Sequence, residues 1–405
     1  MCLRLAYARN MPYVPEDRLV HDADAHVVET PDFFRDYADP DIRDRIPPLY
    51  VMNVAPGEAD MIEHFRGRHS DPEFRERDEA EIMTRKNWKA TGSFIAEDRP
   101  KALDLIGVAS QLVFNTFANG TLEKAERADD MDYAYGIARA HNRAMVDFCT
   151  VDKRLLPVAY VPLADFDRAA AMATEAIGQG AAALMVASSC PTTHSPSHIA
   201  LDPVWAAAQE AGVPIVFHVG GGGVLLSPKY FENGLPPVPD FHGGDGNFRS
   251  VSYMAIQYPV MQTLATLIID GVLDRYPTLQ WGVIEQGGSW LPGLMRAIDS
   301  SATAFYKNEE RLQKLSLKPS EYMKRQVKVT PYPHEDAGWI AEQSDPGMCM
   351  FSSDYPHVEG GRNPLGRFDT SLENATDEVK QRFYCDNFVE MMGPTLKRLG
   401  VPTAA

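Results

Sequence analysis

The chain has 405 residues, of which 44% are hydrophobic and 23% are charged, a composition typical of an ordinary globular protein. It contains 39 Lys and Arg residues against 56 Asp and Glu residues, so its formal net charge is −17. This acidity argues against nucleic-acid binding, because contacts to phosphates need an excess of cations. A chain of this length can bury a large core, and we expect a single domain over residues 1–405.

Targeting signals and cysteine usage give the expected compartment. The first ten residues lack the apolar segment of a secretory signal peptide, and the longest apolar stretch, Leu264 to Leu273, is too short to span a bilayer. The five cysteines are scattered and include no C-x-x-C pair. We therefore expect a cytoplasmic protein with reduced thiols and with no membrane or nucleic-acid partner.

Short apolar runs alternate with amphipathic segments along the chain. Helical periodicity predicts helices at Met131 to Val151, Phe166 to Gln179 and Pro203 to Ala211. The alternation predicts parallel βα units and, because there are eight strands, a (β/α)8 TIM-like barrel. The predicted strands are Arg18 to Ala23, Ser110 to Phe114, Pro157 to Pro162, Ala182 to Ala187, Pro214 to His218, Gln280 to Glu285, Val327 to Thr330 and Met348 to Ser352.

Two long connections predict insertions after strands 1 and 5, at about residues 40–100 and 219–260. The first holds the charged stretch Glu63 to Arg85, which predicts a solvated helix pair. The second begins with the glycines Gly220 to Gly223. It follows the carboxyl end of the fifth predicted strand, and barrel active sites are built at the carboxyl ends of the strands. We expect a lid or pocket wall there, and a mobile surface loop is the alternative. Closing helices are expected at about residues 370–400.

Polar side chains with metal-ligand chemistry follow three of the predicted strands. Asp24 and His26 are two positions apart, so their side chains point to the same side of an extended chain. His218 ends the fifth predicted strand and Asp354 follows the eighth. Each residue alone has an ordinary structural explanation, such as a core histidine or a helix cap. Together the four predict a site for one divalent metal, Zn²⁺ or Mn²⁺.

These stretches resemble the amidohydrolase superfamily and, within it, the amidohydrolase-2 or aminocarboxymuconate semialdehyde decarboxylase-like (ACMSD-like) branch. The resemblance covers roughly Arg18 to Arg398 and implies a mononuclear metal on a distorted barrel, held by Asp24, His26, His218 and Asp354. It also implies a homodimer, because members of the family are often dimers. The motifs that carry it are Asp22 to Glu29, Leu201 to His218, Tyr276 to Trp281 and Ser352 to His357.

One position departs from the family pattern. The family commonly has a histidine at the end of strand six, and this chain has Glu285 there. A carboxyl group donates a proton only if its pKa is raised, which a crowded anionic site can do. Glu285 is predicted to be catalytic as a proton shuttle, with a ligand to a second metal or an orienting carboxylate as alternatives. His242 and His357 are the imidazoles that could replace the missing histidine.

The resemblance favours a metal-dependent nonoxidative decarboxylase or lyase of a small aromatic or enolic carboxylic acid, with Asp354 as the acid/base. One alternative is a metal-dependent hydrolase of a C–N, C–O or C–C bond that uses a metal-bound water, because the same ligands serve both reactions. The other alternative is a barrel that binds a small ligand without turnover.

The predicted pocket walls are rich in aromatic residues, which favours a planar or apolar small-molecule substrate. Arg249 is the predicted ligand of a substrate carboxylate, because arginine binds carboxylates through two hydrogen bonds. A surface salt bridge is the alternative for Arg249. His242 and Trp290 complete the predicted substrate-binding set. The aromatic residues are Tyr230, Phe231, Phe241, Phe248, Tyr253 and Trp290.

Overall fold

A parallel sheet forms the centre of the molecule, as the sequence predicts. The computed structural model describes residues 12–49, 58–223, 225–236 and 250–403. Within these ranges seven parallel strands pair in the order in which they occur in the chain. The strands are β1 His21–Val27, β2 Ser110–Asn115, β3 Leu155–Tyr160, β4 Ala183–Met185, β5 Ile215–His218, β6 Trp281–Ile284 and β7 Val327–Val329.

Helices separate the strands and account for most of the remaining structure. The α-helices before β5 are Phe33–Tyr37, Pro40–Arg43, Glu58–Ser70, Pro72–Ala80, Arg99–Ile106, Ala118–Glu126, Met131–Cys149, Phe166–Gln179 and Asp202–Ala211. Those after β5 are Ser250–Ala255, Gln257–Ile269, Val272–Arg275, Leu291–Phe305, Glu310–Lys314, Pro319–Gln326, Ala337–Gln343, Pro364–Ser371, Asp377–Gln381 and Asn387–Leu399. Short 3₁₀ helices lie at Asn87–Lys89, Ala96–Asp98, Ile199–Leu201 and Pro228–Phe231, and a π-helical turn lies at Arg382–Asp386.

Helix Phe166–Gln179 shows how the sequence produces these elements. The Asp165 side chain accepts the backbone N–H of Arg168 and caps the first turn. Gly180 ends the helix with φ +106°, a conformation that glycine adopts without a steric cost. The buried residues Ala169, Met172, Ala173 and Ala176 follow the helical period and form the face that packs on the core. The predicted bounds of this helix are therefore confirmed.

The eighth predicted strand, Met348 to Ser352, is not a regular strand, which corrects the eight-strand prediction for the described residues. The segment hydrogen-bonds to both edges of the sheet: Val329 N–H donates to Met348 O at 2.8 Å, and Ala23 N–H donates to Phe351 O at 3.1 Å. Its pairing with the named strands is limited to isolated bridges, because groups outside the sheet take some of its backbone donors and acceptors. Asn387 Nδ2–H donates to Cys349 O at 2.7 Å, and Phe351 N–H donates to Phe383 O at 2.9 Å.

The two long connections contain helices next to the carboxyl ends of the strands. The charged stretch after β1 forms the helix pair Glu58–Ser70 and Pro72–Ala80, as predicted. The described part of the connection after β5 includes Pro228–Phe231 and Ser250–Ala255. Across the ranges that the structure describes, no helix combines the length and apolarity needed to cross a membrane. Cys149, Cys190, Cys349 and Cys385 are free thiols.

Candidate metal centre

Asp24 and His26 on β1 provide the first two side chains of the site. Both are fully buried, and their two-residue spacing places them on the same face of the strand. The register between β1 and β2 shifts between Asp22 and Ala25, and such irregularities re-aim side chains beside functional sites. His26 Nε2 lies 3.1 Å from Asp24 Oδ1, so the two side chains converge on the same space.

Two neighbouring strands bring a second histidine and a second carboxylate to this space. His218 pairs in register with Ile284, and Glu285 follows directly, so their side chains leave adjacent strand ends together. His218 Nε2 lies 3.4 Å from Asp24 Oδ1 and 3.3 Å from Glu285 Oε2. Asp354 completes the group, with its Oδ1 3.3 Å from His26 Nε2. The structure therefore brings the predicted residues Asp24, His26, His218 and Glu285 together, and it places Asp354 beside His26 and Glu285.

The buried polar atoms of this group lack hydrogen-bond partners among the described residues. They are both Asp24 carboxylate oxygens, His26 Nε2, His218 Nε2 and Asp354 Oδ1. Leaving one such atom unsatisfied costs about 1–3 kcal/mol, and these atoms face one another across 3–4 Å. A divalent cation among Asp24, His26 and His218 would satisfy four of these atoms, because ligand atoms about 2.0–2.2 Å from one ion lie at comparable separations. Asp354 Oδ1 groups instead with His26, Glu285 and His357. The donor set thus fits the predicted metal.

Hydrogen bonds on the far side of both imidazoles select the tautomer that a metal requires. His26 Nδ1 lies 2.8 Å from Asn115 O, and His218 Nδ1 lies 2.9 Å from Val219 O. A carbonyl oxygen only accepts, so each Nδ1 carries the hydrogen. Each Nε2 therefore presents a lone pair to the space between the carboxylates, which is the arrangement of a metal-binding histidine.

The electrostatics of the group favour an added positive charge. Burial alone would lower the pKa of His26, but the Asp24 and Asp354 carboxylates hold that pKa well above its ordinary value. Conversely, burial would raise the pKa of Asp24, and the His26 and His218 rings nevertheless keep it below its ordinary value. The cluster attracts either protons or a cation, which is the behaviour expected of a metal site.

Glu285 behaves differently from the other two carboxylates. Burial and the negative charges of Asp354 and Asp24 raise the pKa of Glu285 well above its ordinary value. Asp354 is also buried, yet His357 and His26 lower the pKa of Asp354. Both residues have left-handed backbones, with φ +53° at Glu285 and +52° at Asp354, a conformation that is uncommon for non-glycine residues and clusters at functional sites. One carboxyl group is thus disposed to hold a proton and the other to remain ionised.

A second set of potential ligand atoms overlaps the first. Ligand atoms of Asp24, His26, His218 and Glu285 lie within 4.8 Å of one another, and so do those of His26, Glu285, Asp354 and His357. His357 stacks on His26 with ring centroids 3.8 Å apart, and its Nδ1 lies 3.1 Å from Asp354 Oδ1. His357 therefore lies beside the centre, in contact with both His26 and Asp354.

The buried Asp22 carboxylate links two segments that carry proposed metal ligands. It accepts Ser353 N–H at 2.8 Å, Ser353 Oγ–H at 2.6 Å and Gln111 Nε2–H at 2.8 Å. Burial raises the pKa of Asp22 to about 6, although these donors oppose the rise. The carboxylate joins β1 to the irregular segment directly before Asp354, so it fixes two ligand-bearing segments relative to each other.

A cavity of about 540 Å³ opens above the centre. Glu285, His218 and His357 reach it from the metal cluster, and Tyr253, Tyr332 and His334 form an aromatic wall. Tyr253 Oη lies 2.7 Å from His334 Nε2, and the Tyr332 hydroxyl donates to Glu285 O at 2.7 Å. The remaining lining residues are Asn87, Thr116, Phe117, Asn119, Gly120, Val219, Gly220, Ser250, Ile256 and Glu359.

The predicted substrate-binding residues have different outcomes. Tyr253 lines the cavity, and Tyr230 is 70% exposed. Trp290 is buried, and its indole N–H donates to Gln286 O and Gly287 O. Its ring belongs to the hydrophobic core and does not line the cavity. Arg249, His242, Phe241 and Phe248 lie outside the described residues.

Several cavity residues were not predicted from the sequence. Tyr332 and His334 follow β7, and Thr116 and Asn119 follow β2, so all four come from strand ends at the same edge of the sheet. The rule that carboxyl ends of parallel strands build the site could have identified these positions. Their side chains gave no separate signal, because an isolated Thr, Asn or Tyr after a strand is common in any loop.

The family model described as Amidohydrolase matches residues 21–391. A search of curated proteins finds no match.

Solved structures with the same fold span nearly the whole chain. An amidohydrolase, map2389c, from Mycobacterium avium subsp. paratuberculosis K-10 has a TM-score of 0.71 at 20% identity, covering 93% of this chain and 100% of that one. The 5-carboxyvanillate decarboxylase of Novosphingobium aromaticivorans, complexed with manganese and 4-hydroxy-3-methoxy-5-nitrobenzoic acid, has a TM-score of 0.60 at 18% identity, with 93% and 97% covered. The 2,6-dihydroxybenzoate decarboxylase from Rhizobium has a TM-score of 0.59 at 15% identity, with 93% and 99% covered. At these identities the likeness establishes the fold.

Proposed function

Because the chain belongs to the amidohydrolase family and is an enzyme of that superfamily, we propose that it is a metal-dependent nonoxidative decarboxylase of a small aromatic or enolic carboxylic acid. The observation that carries the proposal is the group of buried, unpartnered donor atoms at the floor of an aromatic-walled cavity. Such a site holds a cation and presents it to a planar substrate. The manganese and the nitrobenzoic acid in the neighbour from Novosphingobium aromaticivorans are consistent with this reaction class.

Asp24, His26, His218 and Asp354 are the proposed metal ligands. A mixed set of carboxylates and imidazoles suits Zn²⁺ or Mn²⁺. A divalent ion bound there would supply Lewis-acid stabilisation of the negative charge that develops on substrate oxygens. The protein residues hold the substrate against this charge and deliver the proton.

Asp354 and Glu285 are the proposed proton-transfer pair. Decarboxylation adds a proton to the carbon that carries the carboxylate, after which the C–C bond breaks, carbon dioxide leaves and the bonding electrons return to the ring. Glu285 is the carboxyl group disposed to store that proton, because burial and neighbouring carboxylates raise its pKa. Asp354 is the acid/base that exchanges the proton with the substrate carbon. Its low pKa, which His357 and His26 cause, returns it to the ionised form after each transfer.

The cavity walls suit a planar ring. Tyr332 and His334 are nearly parallel, with an interplanar angle of 9°, and Tyr253 packs against both. Offset stacking on such rings is worth about 0.5–1.5 kcal/mol per pair beyond the buried area. Arg249 is the proposed contact to the substrate carboxylate, His242 is a further proposed substrate-binding residue, and the proposed assembly is a homodimer.

A hydrolase remains the second candidate, because Glu285 and Asp354 also suit proton transfer from a nucleophilic water. The deciding experiment measures carbon dioxide release by the metal-loaded enzyme from a panel of hydroxybenzoates and aminomuconates. We expect release from at least one of these acids, with no release by enzyme treated with a chelator. Failure across the panel, together with hydrolysis of a lactone or an amide, would overturn the decarboxylase in favour of the hydrolase.

A further inference from the structure

We infer that Asn115 and Asn119 form an amide relay that couples the orientation of His26 to that of His218. Asn115 is the last residue of β2, and Asn119 lies in the first turn of helix Ala118–Glu126. Neither residue belongs to the predicted ligand set. The inference rests on the metal centre of the proposed function and is independent of the reaction catalysed there.

The relay begins at the carbonyl that orients His218. Val219 O accepts His218 Nδ1–H at 2.9 Å and also accepts Asn119 Nδ2–H at 3.1 Å. Asn119 Oδ1 in turn accepts Asn115 Nδ2–H at 2.9 Å. The backbone carbonyl of Asn115 accepts His26 Nδ1–H at 2.8 Å. Two asparagines thus connect the hydrogen bonds that set both imidazole tautomers.

The relay has one consistent direction. If the Asn119 amide were reversed, its Oδ1 would face Val219 O, which cannot donate, so Val219 O fixes the orientation of Asn119. The oxygen of Asn119 then requires Nδ2–H of Asn115, which leaves Asn115 Oδ1 facing His141 Nε2 at 3.1 Å. Each amide orientation therefore follows from the one before it, starting at the carbonyl beside His218.

Surrounding contacts hold the relay in place. The Glu29 carboxylate accepts the backbone N–H groups of Thr116, Phe117 and Ala118 at 3.0–3.1 Å, which fixes the turn between the two asparagines. Gly220 has φ +92°, and a Cβ built on it would lie 3.3 Å from Asn119 Cβ, so the backbone after His218 packs tightly on the relay. Asn115 is fully buried and Asn119 is 8% exposed at the cavity.

Asn119 is therefore a positioning residue that acts through His218. Hydrogen-bond partners of metal-binding histidines typically contribute 10–100-fold to metal affinity. Without Asn119, Val219 O loses one of its two donors, and Asn115 Nδ2 loses its acceptor. The carbonyls that hold the two imidazoles can then move independently, so the preformed ligand geometry is lost while the ligands themselves remain.

The test is metal affinity of the Asn119→Ala enzyme, measured by competition with a fluorescent Zn²⁺ chelator. We expect the dissociation constant to rise by about 10-fold or more, in protein that circular dichroism shows to be folded. The visible spectrum of the Co²⁺-loaded enzyme should also change, because it reports ligand geometry. Asn308→Ala, at an exposed position, is the matched control and should change neither quantity.

A double variant separates a relay from two independent contacts. If the relay exists, Asn115→Ala combined with Asn119→Ala loses about as much metal affinity as either change alone, since breaking a chain once suffices. Additive losses, or wild-type affinity and an unchanged Co²⁺ spectrum in Asn119→Ala, would overturn the relay while the proposed function stands. A wild-type enzyme that binds no metal would overturn both. Asn119→Ser, whose hydroxyl is too short to span both partners, gives the same readout if the alanine variant does not fold.

Discussion

His218 Nε2 lies 3.4 Å from Asp24 Oδ1, and neither atom has a hydrogen-bond partner within the described ranges. His218 lies on β5 and Asp24 lies on β1, so the two residues are far apart in the sequence. Both atoms present lone pairs, and two buried lone-pair atoms in contact without a hydrogen bond cost free energy unless a cation lies between them. Their close approach is therefore the arrangement expected of two ligands of one metal ion.

Replacing His218 with Ala should remove the metal and leave the fold intact. The imidazole is one of the proposed ligands and is nearly buried, so its loss removes a ligand and admits water to the site. We expect metal content after dialysis to fall below about one tenth of wild type, since changes even outside the ligand set cost 10–100-fold. Elemental analysis checks the metal and circular dichroism checks the fold. His194→Ala, away from the cluster, is the control, and an unchanged metal content in His218→Ala would contradict the ligand assignment.

Glu285→Gln should lower kcat while the metal stays bound. Glutamine keeps the shape of the side chain but has no carboxyl proton to transfer, so we expect kcat to fall by about 10²–10⁴-fold, the usual contribution of general acid–base catalysis. Steady-state carbon dioxide release and metal content are the two measurements. The exposed Glu342→Gln serves as the control. Loss of the metal together with activity would instead show that Glu285 is mainly a ligand.

Gly360→Ala should disturb the segment that carries Asp354. A Cβ at this position would lie 2.2 Å from Ser353 O and 2.8 Å from Asp354 Cβ, so the backbone beside the proposed ligand must move. Overpacking of this kind costs about 1–3 kcal/mol of unfolding free energy. We expect a lower melting temperature and weaker metal binding. Gly293→Ala, where a Cβ meets no atom within 4 Å, should leave metal binding unchanged; equal behaviour of the two variants would argue against the close packing at Gly360.

The buried residue His141 should make stability depend on pH. Burial lowers the pKa of His141 from 6.5 to about 4, so the unfolded chain takes up a proton that the folded chain refuses. The free energy of unfolding is therefore unaffected by His141 above pH 6.5. It falls by roughly 3 kcal/mol in total as the pH is lowered from 6.5 towards 4. Urea unfolding at several pH values should show wild type losing stability on acidification faster than His141→Gln. Parallel pH profiles for the two proteins would exclude the effect.

The parallel sheet and the site residues at the ends of its strands could be predicted from the sequence. The Asp24 and His26 pair, His218 and Asp354 were found because each follows an apolar run, and carboxyl ends of parallel strands meet at one edge. The positions of the first seven predicted strands agree with the structure to within a few residues, and the eighth has no regular counterpart among the described residues. Family membership was also predicted and is confirmed.

Other features depend on tertiary contacts that a single sequence does not display. The apolar residues of Met348 to Ser352 predict a strand, but Asn387 Nδ2–H donates to Cys349 O and Phe351 N–H donates to Phe383 O, so these groups are not available to a regular ladder. The left-handed backbone of Glu285 and Asp354 has no compositional signal, because neither residue is a glycine. The roles of Asn115 and Asn119 emerge only when the helix after β2 packs beside Val219.

We propose that one divalent cation binds where Asp24, His26 and His218 converge. Anomalous diffraction from crystals grown with MnCl₂ or ZnCl₂ tests this binding directly. We expect an anomalous peak about 2.0–2.3 Å from His26 Nε2, His218 Nε2 and an Asp24 carboxylate oxygen. A well-ordered crystal with these three side chains in the same arrangement and no peak between them would contradict it.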